Sequence, residues 1–282
     1  MQHSSGHSSV NTKEIHPRGA LESRSRLLMI MTLASRLLGL VRIRIMSSLL
    51  GATAAGDIFF FTFNLANNSR KLLAEGALSS AYIPAYTSIA AKDSKQAGGL
   101  VLHTALMLTA VMLALGIVLF FTAQPLLTFI SELDDDLILR FGAPLLGIFS
   151  LYMLGVMLTS QCTGTLQVHG KFFLPSLAPL MVSLSVILIS LRYYDSHGIL
   201  AIAWGFTVGT ALSVVLMLVS MRRLFEGGIK RPHWSIFSGL FGNWGIMFLL
   251  SGVLFAGQQI SFYLASTLEA GSVMIFSNAL II

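Results

Sequence analysis

Seven ionisable side chains interrupt apolar sequence within the first ninety residues: Arg36, Arg42, Arg44, Asp57, Arg70, Lys71 and Glu75. Five are cations. An Arg guanidinium is a planar fork that pairs two-pronged with phosphate, so an arginine excess inside apolar sequence points to an anionic, phosphate-bearing ligand. Each charge at a bilayer centre costs about 2.5–3.5 kcal/mol on insertion scales. Several of them in adjacent segments imply a water-filled cavity rather than lipid. For any single arginine the simpler reading is a side chain that snorkels to an interface. Arg36 and Arg42 flank Gly39, and on an unbroken helix they stand about 240° apart round the axis. They converge only across a kink or in a cavity that wraps the helix. Farther along, Gln258 and Gln259 are either cavity lining or an interhelical hydrogen-bond pair.

The elements that position these groups follow from charge distribution. Of 282 residues, 55% are hydrophobic and 11% charged, against about 25% charged in soluble domains. No Asp, Glu, Lys or Arg occurs in 96–131, 141–170, 172–191, 196–221 or 232–268. Each gap is long enough for the roughly 20 residues that a spanning helix needs. Spanning backbone must satisfy its own hydrogen bonds, which leaves helices and closed barrels. These stretches are apolar all round and do not alternate, so the expected fold is an all-α polytopic transmembrane bundle. Spans are expected near 27–50, 57–90, 98–130, 138–167, 172–192, 198–221 and 243–267, with an eighth beginning near Gly271. Pro84, Pro125, Pro144, Pro175 and Pro179 fall inside apolar stretches, where each removes a backbone donor and permits bending.

Loop charges set an orientation. Basic residues gather in the N-terminal tail, at Lys92 and Lys95, at His169 and Lys171, and from Arg222 to Arg231. The alternate loops are uncharged, mixed, or acidic, as at Glu132 and Asp134–Asp136. The positive-inside rule then puts the N-terminus in the cytoplasm. Residues 1–25 lack the apolar core of a signal peptide and read as a disordered cytoplasmic tail. A weak internal repeat pairs Ala55-Gly56-Asp57 with Ala270-Gly271-Ser272. It suggests a six-helix lobe over 26–228, followed at 238–282 by the first helix and a truncated second helix of another lobe. The single Cys162 excludes an internal disulfide. No Walker A loop, H-E-x-x-H or G-x-S-x-G motif occurs, and no metal-ligand spacing, so neither an enzyme nor a cofactor is expected. The net charge of +6 lies mostly at segment ends, so topology rather than nucleic acid accounts for it.

The run Ser35-Arg36-Leu37-Leu38-Gly39-Leu40-Val41-Arg42, then Gly51-Ala52, Asp57, Phe59-Phe60, Asn67, Arg70-Lys71, Ala74-Glu75-Gly76-Ala77 and Pro84, resembles the N-terminal signature of the MurJ (MviN) lipid II flippases. The likeness continues more thinly through Pro175, Ala178-Pro179, Ala203-Trp204, Thr207-Val208-Gly209 and Gln259-Ile260-Ser261. It implies one lobe of a fourteen-helix transporter of the MOP superfamily in a bacterial inner membrane. The implied substrate is the undecaprenyl-pyrophosphate-linked peptidoglycan precursor, moved from the cytoplasmic to the periplasmic leaflet by alternating access. The partners implied are that precursor, membrane lipids and a C-terminal half not contained in this sequence. By position, Arg36, Arg42 and Arg70 match the family's cavity arginines and Asp57 its functional acid, with Asn67, Glu75 and Gln259 in support. Ile43 stands where the family carries an acid, Ala66 where a proline is typical, and no arginine occurs near Ile281. A polysaccharide-lipid flippase shares the pyrophosphate chemistry. A cationic-drug exporter would favour acidic cavity residues. A third reading is a remnant that binds partners without transporting.

Overall fold

A computed structural model describes residues 18–70, 79–222, 230 and 252–280. Where they are described, the charge-free stretches are helical, as backbone groups without water require, and 232–251 lie outside the described residues. They are α1 (Arg18–Leu50), α2 (Ala54–Arg70), α3 (Ser79–Ala90), α4 (Ser94–Phe121), α5 (Ala123–Ile130), a turn α6 (Asp135–Leu137), α7 (Ala143–Val168), α8 (Phe173–His197) and α9 (Ile199–Met221). Residues 252–266 form α10, and Ser272–Ala279 form α11. Among the described residues no strand occurs. Among the described residues four units have the length and apolarity to cross a membrane: Ser94–Phe121, Asp135–Val168, Phe173–His197 and Ile199–Met221.

The differences from the expected spans have local causes. α1 begins at Arg18, inside the stretch expected as tail, and runs through Gly39 without a break. The expected span 98–130 is divided at Thr122 between α4 and α5. Pro125, three residues on, has no N–H to return to Phe121, so the ladder breaks there. Pro144 has the same effect on Arg140, and a π-helical turn over Ile138–Gly142 absorbs the missing bond ahead of α7. Pro84 and Pro179 sit within continuous α3 and α8. The expected span 57–90 comprises α2 and α3, with 71–78 outside the described residues.

Small residues set the closest packing. Gly198, at φ +56°, turns α8 back into α9 in a single residue. Gly205 and Gly209, four apart, then face the backbone of α8. A Cβ on Gly205 would lie 2.7 Å from Val186 Cα, and one on Gly209 2.7 Å from Val182 Cα. This is the small-xxx-small approach of membrane helices. Backbone cannot yield as a side-chain tip can, so Gly205→Leu is expected to cost about 1–3 kcal/mol through overpacking. A drop in the melting midpoint of the detergent-purified protein would register it, and an unchanged midpoint would contradict the packing. On the other side of α8, Ser176, Ser183 and Ser190 recur every seven residues toward α1. Ser176 Oγ lies 3.2 Å from Met31 Sδ, and Tyr194 Oη donates to the Leu49 carbonyl at 2.7 Å. α1 and α8 therefore run parallel.

An aromatic core joins α2, α7 and α9. Phe63 lies 4.7 Å from Phe206, 5.6 Å from Phe149 and 6.3 Å from Tyr152 between ring centroids. The two ends of the bundle differ in charge. One carries Lys92, Lys95, His169, Lys171, Arg222 and Lys230. There Tyr86 Oη meets His169 Nε2 at 2.8 Å, and Lys230 pairs with Asp93 at 3.4 Å. Asp93 also caps α4, accepting from the N–H groups of Lys95 and Gln96. Desolvation pulls the Asp93 carboxyl upward, but those hydrogen bonds and the Lys230 charge outweigh it and hold it below its ordinary value. The other end carries Glu132, Asp134, Asp135 and Asp136 beside the α1–α2 turn, the α8–α9 turn and the start of α11.

Candidate functional site

Arg42 is half-buried on α1, whereas Arg26, Arg36 and Arg44 are exposed. Its Nη1 donates to Ser183 Oγ of α8 at 3.4 Å, and its guanidinium carbon lies 5.1 Å from the ring centre of Phe206 on α9. Nε is buried and has no hydrogen-bond partner. The cation thus rests on an aromatic face at the edge of the Phe63–Phe149–Tyr152–Phe206 cluster, which attracts it without neutralising it. A half-buried guanidinium whose buried Nε is unmatched among the described residues suits an anionic oxygen better than it suits packing.

The other expected residues are distributed differently. Arg36 and Arg44 are exposed on α1. Because the helix is unbroken at Gly39, Arg36 and Arg42 leave it in different directions and do not converge on α8 and α9. Arg70 ends α2, and its side chain lies outside the described residues, as does Glu75. Asn67 is half-buried on α2. Gln259 is half-buried on α10, with its Nε2 buried and without a partner.

Asp57 occupies another neighbourhood. It is 3% exposed, and both carboxylate oxygens accept backbone N–H groups from the start of α11: Gly271 N at 2.5 Å to Oδ2 and Met274 N at 2.9 Å to Oδ1. It makes no ion pair with an arginine among the described residues. The reason is a missing cap. α2 carries its own, since Thr53 Oγ1 accepts the Gly56 N–H at 3.2 Å. α11 begins at Gly271, φ +95°, which has no side chain to offer its orphan N–H groups. Asp57 supplies that function from another helix, and its charge complements the positive end of the α11 dipole. The approach is close, because a Cβ on Gly271 would lie 2.8 Å from Ala52 Cβ.

Further contacts tie α10 and α11 to the same end of the bundle. Asn64 Nδ2 donates to Ser277 Oγ at 2.7 Å, and Asn278 Nδ2 to Ser47 Oγ at 3.0 Å. The Phe262 ring lies 6.4 Å from Phe61 and 5.2 Å from Phe276. Ser266 Oγ accepts the Glu132 N–H at 2.9 Å, and Tyr263 Oη donates to Glu132 Oε1 at 3.1 Å. The two members of the internal repeat, at Gly56-Asp57 and Gly271-Ser272, therefore meet each other. Sequence reasoning found both but not their contact. It also missed Ser183 and Phe206 as the partners of Arg42. The seven-residue recurrence of serine along α8 was the available signal for the first, and nothing in the sequence singled out the second.

Comparison with known proteins gives this geometry a family. The family described as "Lipid II flippase MurJ" matches residues 46–282. A probable lipid II flippase MurJ of Borreliella burgdorferi is 34% identical over 262 residues, covering 90% of this chain and 51% of the relative. One from Vibrio cholerae is 31% identical over 216 residues, covering 72% and 41%. Among solved structures, a lipid II flippase MurJ in an inward closed conformation superposes with a TM-score of 0.75 at 22% identity, over 90% of this chain and 54% of that one. That likeness bears on the fold. The chain spans about half the length of the curated relatives it matches. Multi-pass helical architecture, the N-terminal signature and the matched family together identify it: the chain belongs to the lipid II flippase MurJ family.

Proposed function

We propose that this chain supplies the first lobe, 26–228, and the opening helices of the second lobe, 238–282, of a flippase. Its substrate is lipid II, the undecaprenyl-pyrophosphate-linked peptidoglycan precursor, carried from the cytoplasmic to the periplasmic leaflet of a bacterial inner membrane. The protein is a transporter and not an enzyme, and the N-terminus lies in the cytoplasm. The observation that carries the reading is Arg42, a half-buried cation between membrane helices whose Nε is unmatched among the described residues. A pyrophosphate oxygen would satisfy it. Arg36 and Arg70 are the further arginines this reading assigns to the head group, on the strength of the N-terminal signature. The prenyl tail of such a substrate stays in the bilayer, so only the polar head needs the cavity.

Asp57 has a mechanical part in this reading. Its grip on α11 holds the acidic end of the bundle shut, while substrate enters from the basic end. Transport requires the grip to release, so that the second lobe rocks away and the head group leaves on the far side. The basic end, with Lys92, Lys95, His169 and Lys171, is the cytoplasmic one by the positive-inside rule.

The test uses cells depleted of their own lipid II flippase. They receive this chain joined to the C-terminal half of the Vibrio cholerae relative, or this chain by itself. Growth restored by the joined protein is the expected result, with the chain by itself failing to restore it. A joined protein that inserts at normal abundance yet never restores growth would overturn the proposed activity and favour a binding role without transport.

A further inference from the structure

A groove of about 510 Å³ opens on the outer surface of the bundle between α4, α7 and α9. Its walls include Met112, Gly116, Phe120, Gly147, Leu151 and Trp204. The one hydroxyl among its lining residues, Ser150 Oγ, is already used, donating to the Gly147 carbonyl at 2.7 Å. The groove is therefore apolar, and its volume falls within the roughly 300–1,000 Å³ of ligand pockets. It exists because two glycines thin its walls: a Cβ on Gly147 would lie 3.0 Å from the Phe120 ring, and one on Gly116 2.6 Å from Ser150 Oγ.

The polar groups above it are arranged in order along one helix. Pro144, Gly147, Ile148 and Leu151 line the groove from α7. Arg140 stands one turn above Pro144, in the π-helical turn, and Asp136 one turn above Arg140. Arg140 is exposed and lies 5.1 Å over the Phe141 ring, and it forms no ion pair with Asp136 or any other described carboxylate. Asp135 and Asp136 are exposed too. From Arg140 to Leu151 the helix rises about 16 Å. That is close to half of a hydrocarbon core about 30 Å thick, the depth of one leaflet.

We propose that this groove is a binding site for an aminophospholipid. One acyl chain lies along Gly116, Gly147 and Leu151, Arg140 pairs the lipid phosphate, and Asp136 receives its primary ammonium. An anionic headgroup with no amine fits less well, because Glu132, Asp134, Asp135 and Asp136 all precede Arg140 by eight residues or fewer and give this end of α7 an acidic balance. Phosphate bound to Arg140 with an ammonium among those acids satisfies both signs of charge at once. The site depends only on the chain spanning a membrane and stands apart from the transport reading.

The full chain, purified in detergent, is incubated with equimolar phosphatidylethanolamine, phosphatidylglycerol and phosphatidylcholine, and retained lipid is counted by native mass spectrometry. One phosphatidylethanolamine per chain is expected, at least fivefold over either competitor. Arg140→Gln should abolish the preference. Ile117→Trp, which fills the groove from its exposed rim, should remove the retained lipid while the helical circular dichroism stays unchanged. Equal retention of the three lipids by the wild type, or undiminished retention by Ile117→Trp, would overturn the proposal.

Discussion

Asp57→Asn is expected to open the acidic end of the bundle and abolish transport. The carboxylate accepts one backbone N–H on each oxygen. An amide has a single acceptor and turns its NH2 toward the second N–H, so one buried donor is left facing another. Loss of one charge-assisted bond, together with an unsatisfied donor, comes to about 3 kcal/mol. At about 1.4 kcal/mol per decade, the balance between closed and open states shifts by about two orders of magnitude. Ser47 and Asn278, whose side chains touch at 3.0 Å, report the state. With both changed to cysteine in a Cys162→Ser background, a short bifunctional maleimide, which adds each thiol across a C=C bond, should join them in the parent and fail in Asp57→Asn. Efficient joining in the variant, with growth retained, would show that the cap is not the latch. Asp57→Glu keeps the charge in a space with no room for another methylene, so it should fall between the two.

Arg42→Ala has the second large effect, and its signature is the opposite one. The structure gives Arg42 a hydrogen bond of 3.4 Å and an aromatic face but no counter-charge among the described residues, so its removal should leave insertion and melting midpoint nearly unchanged. Binding of a short-chain prenyl pyrophosphate should weaken about 10- to 100-fold, the equivalent of one or two charge-assisted hydrogen bonds. Arg42→Lys restores the charge without the planar fork and should recover part of the affinity. Titration of purified protein with the prenyl pyrophosphate measures this. Wild-type affinity in Arg42→Ala would remove Arg42 from the binding surface.

Much of the architecture was legible because membrane helices announce themselves by composition. Five charge-free stretches gave α4, α5, α7, α8, α9 and α10 their approximate places, and the alternating loop charges matched the two unlike ends. The breaks were harder to see. Pro125 and Pro144 signalled interruption, yet whether a proline ends, bends or merely decorates a helix depends on neighbours that no local pattern shows: Pro179 sits in an unbroken α8. The site was legible as a set of residue types and only partly as an arrangement. The 240° between Arg36 and Arg42 foretold that an unbroken α1 would separate them, and it does. Asp57 was read by its charge as part of the same polar interior. Its actual partner is a helix end more than two hundred residues away, which lacks a cap because it begins with glycine. Periodicity reports which face of a helix is buried, but it carries no information on which distant N–H groups are short of an acceptor.

That borrowed cap bears on how the protein is made. α2 has a cap of its own, Thr53, which can take up the Gly56 N–H as soon as the segment leaves the ribosome. α11 is synthesised later and cannot complete its first turn until it docks on α2. The early half thus acts as a template for the late one, and the order of synthesis is also the order in which backbone groups become satisfied. Although the two halves carry a common repeat, they are not interchangeable parts. A recombinant that exchanges the start of α11 between relatives must carry the acid at position 57 with it.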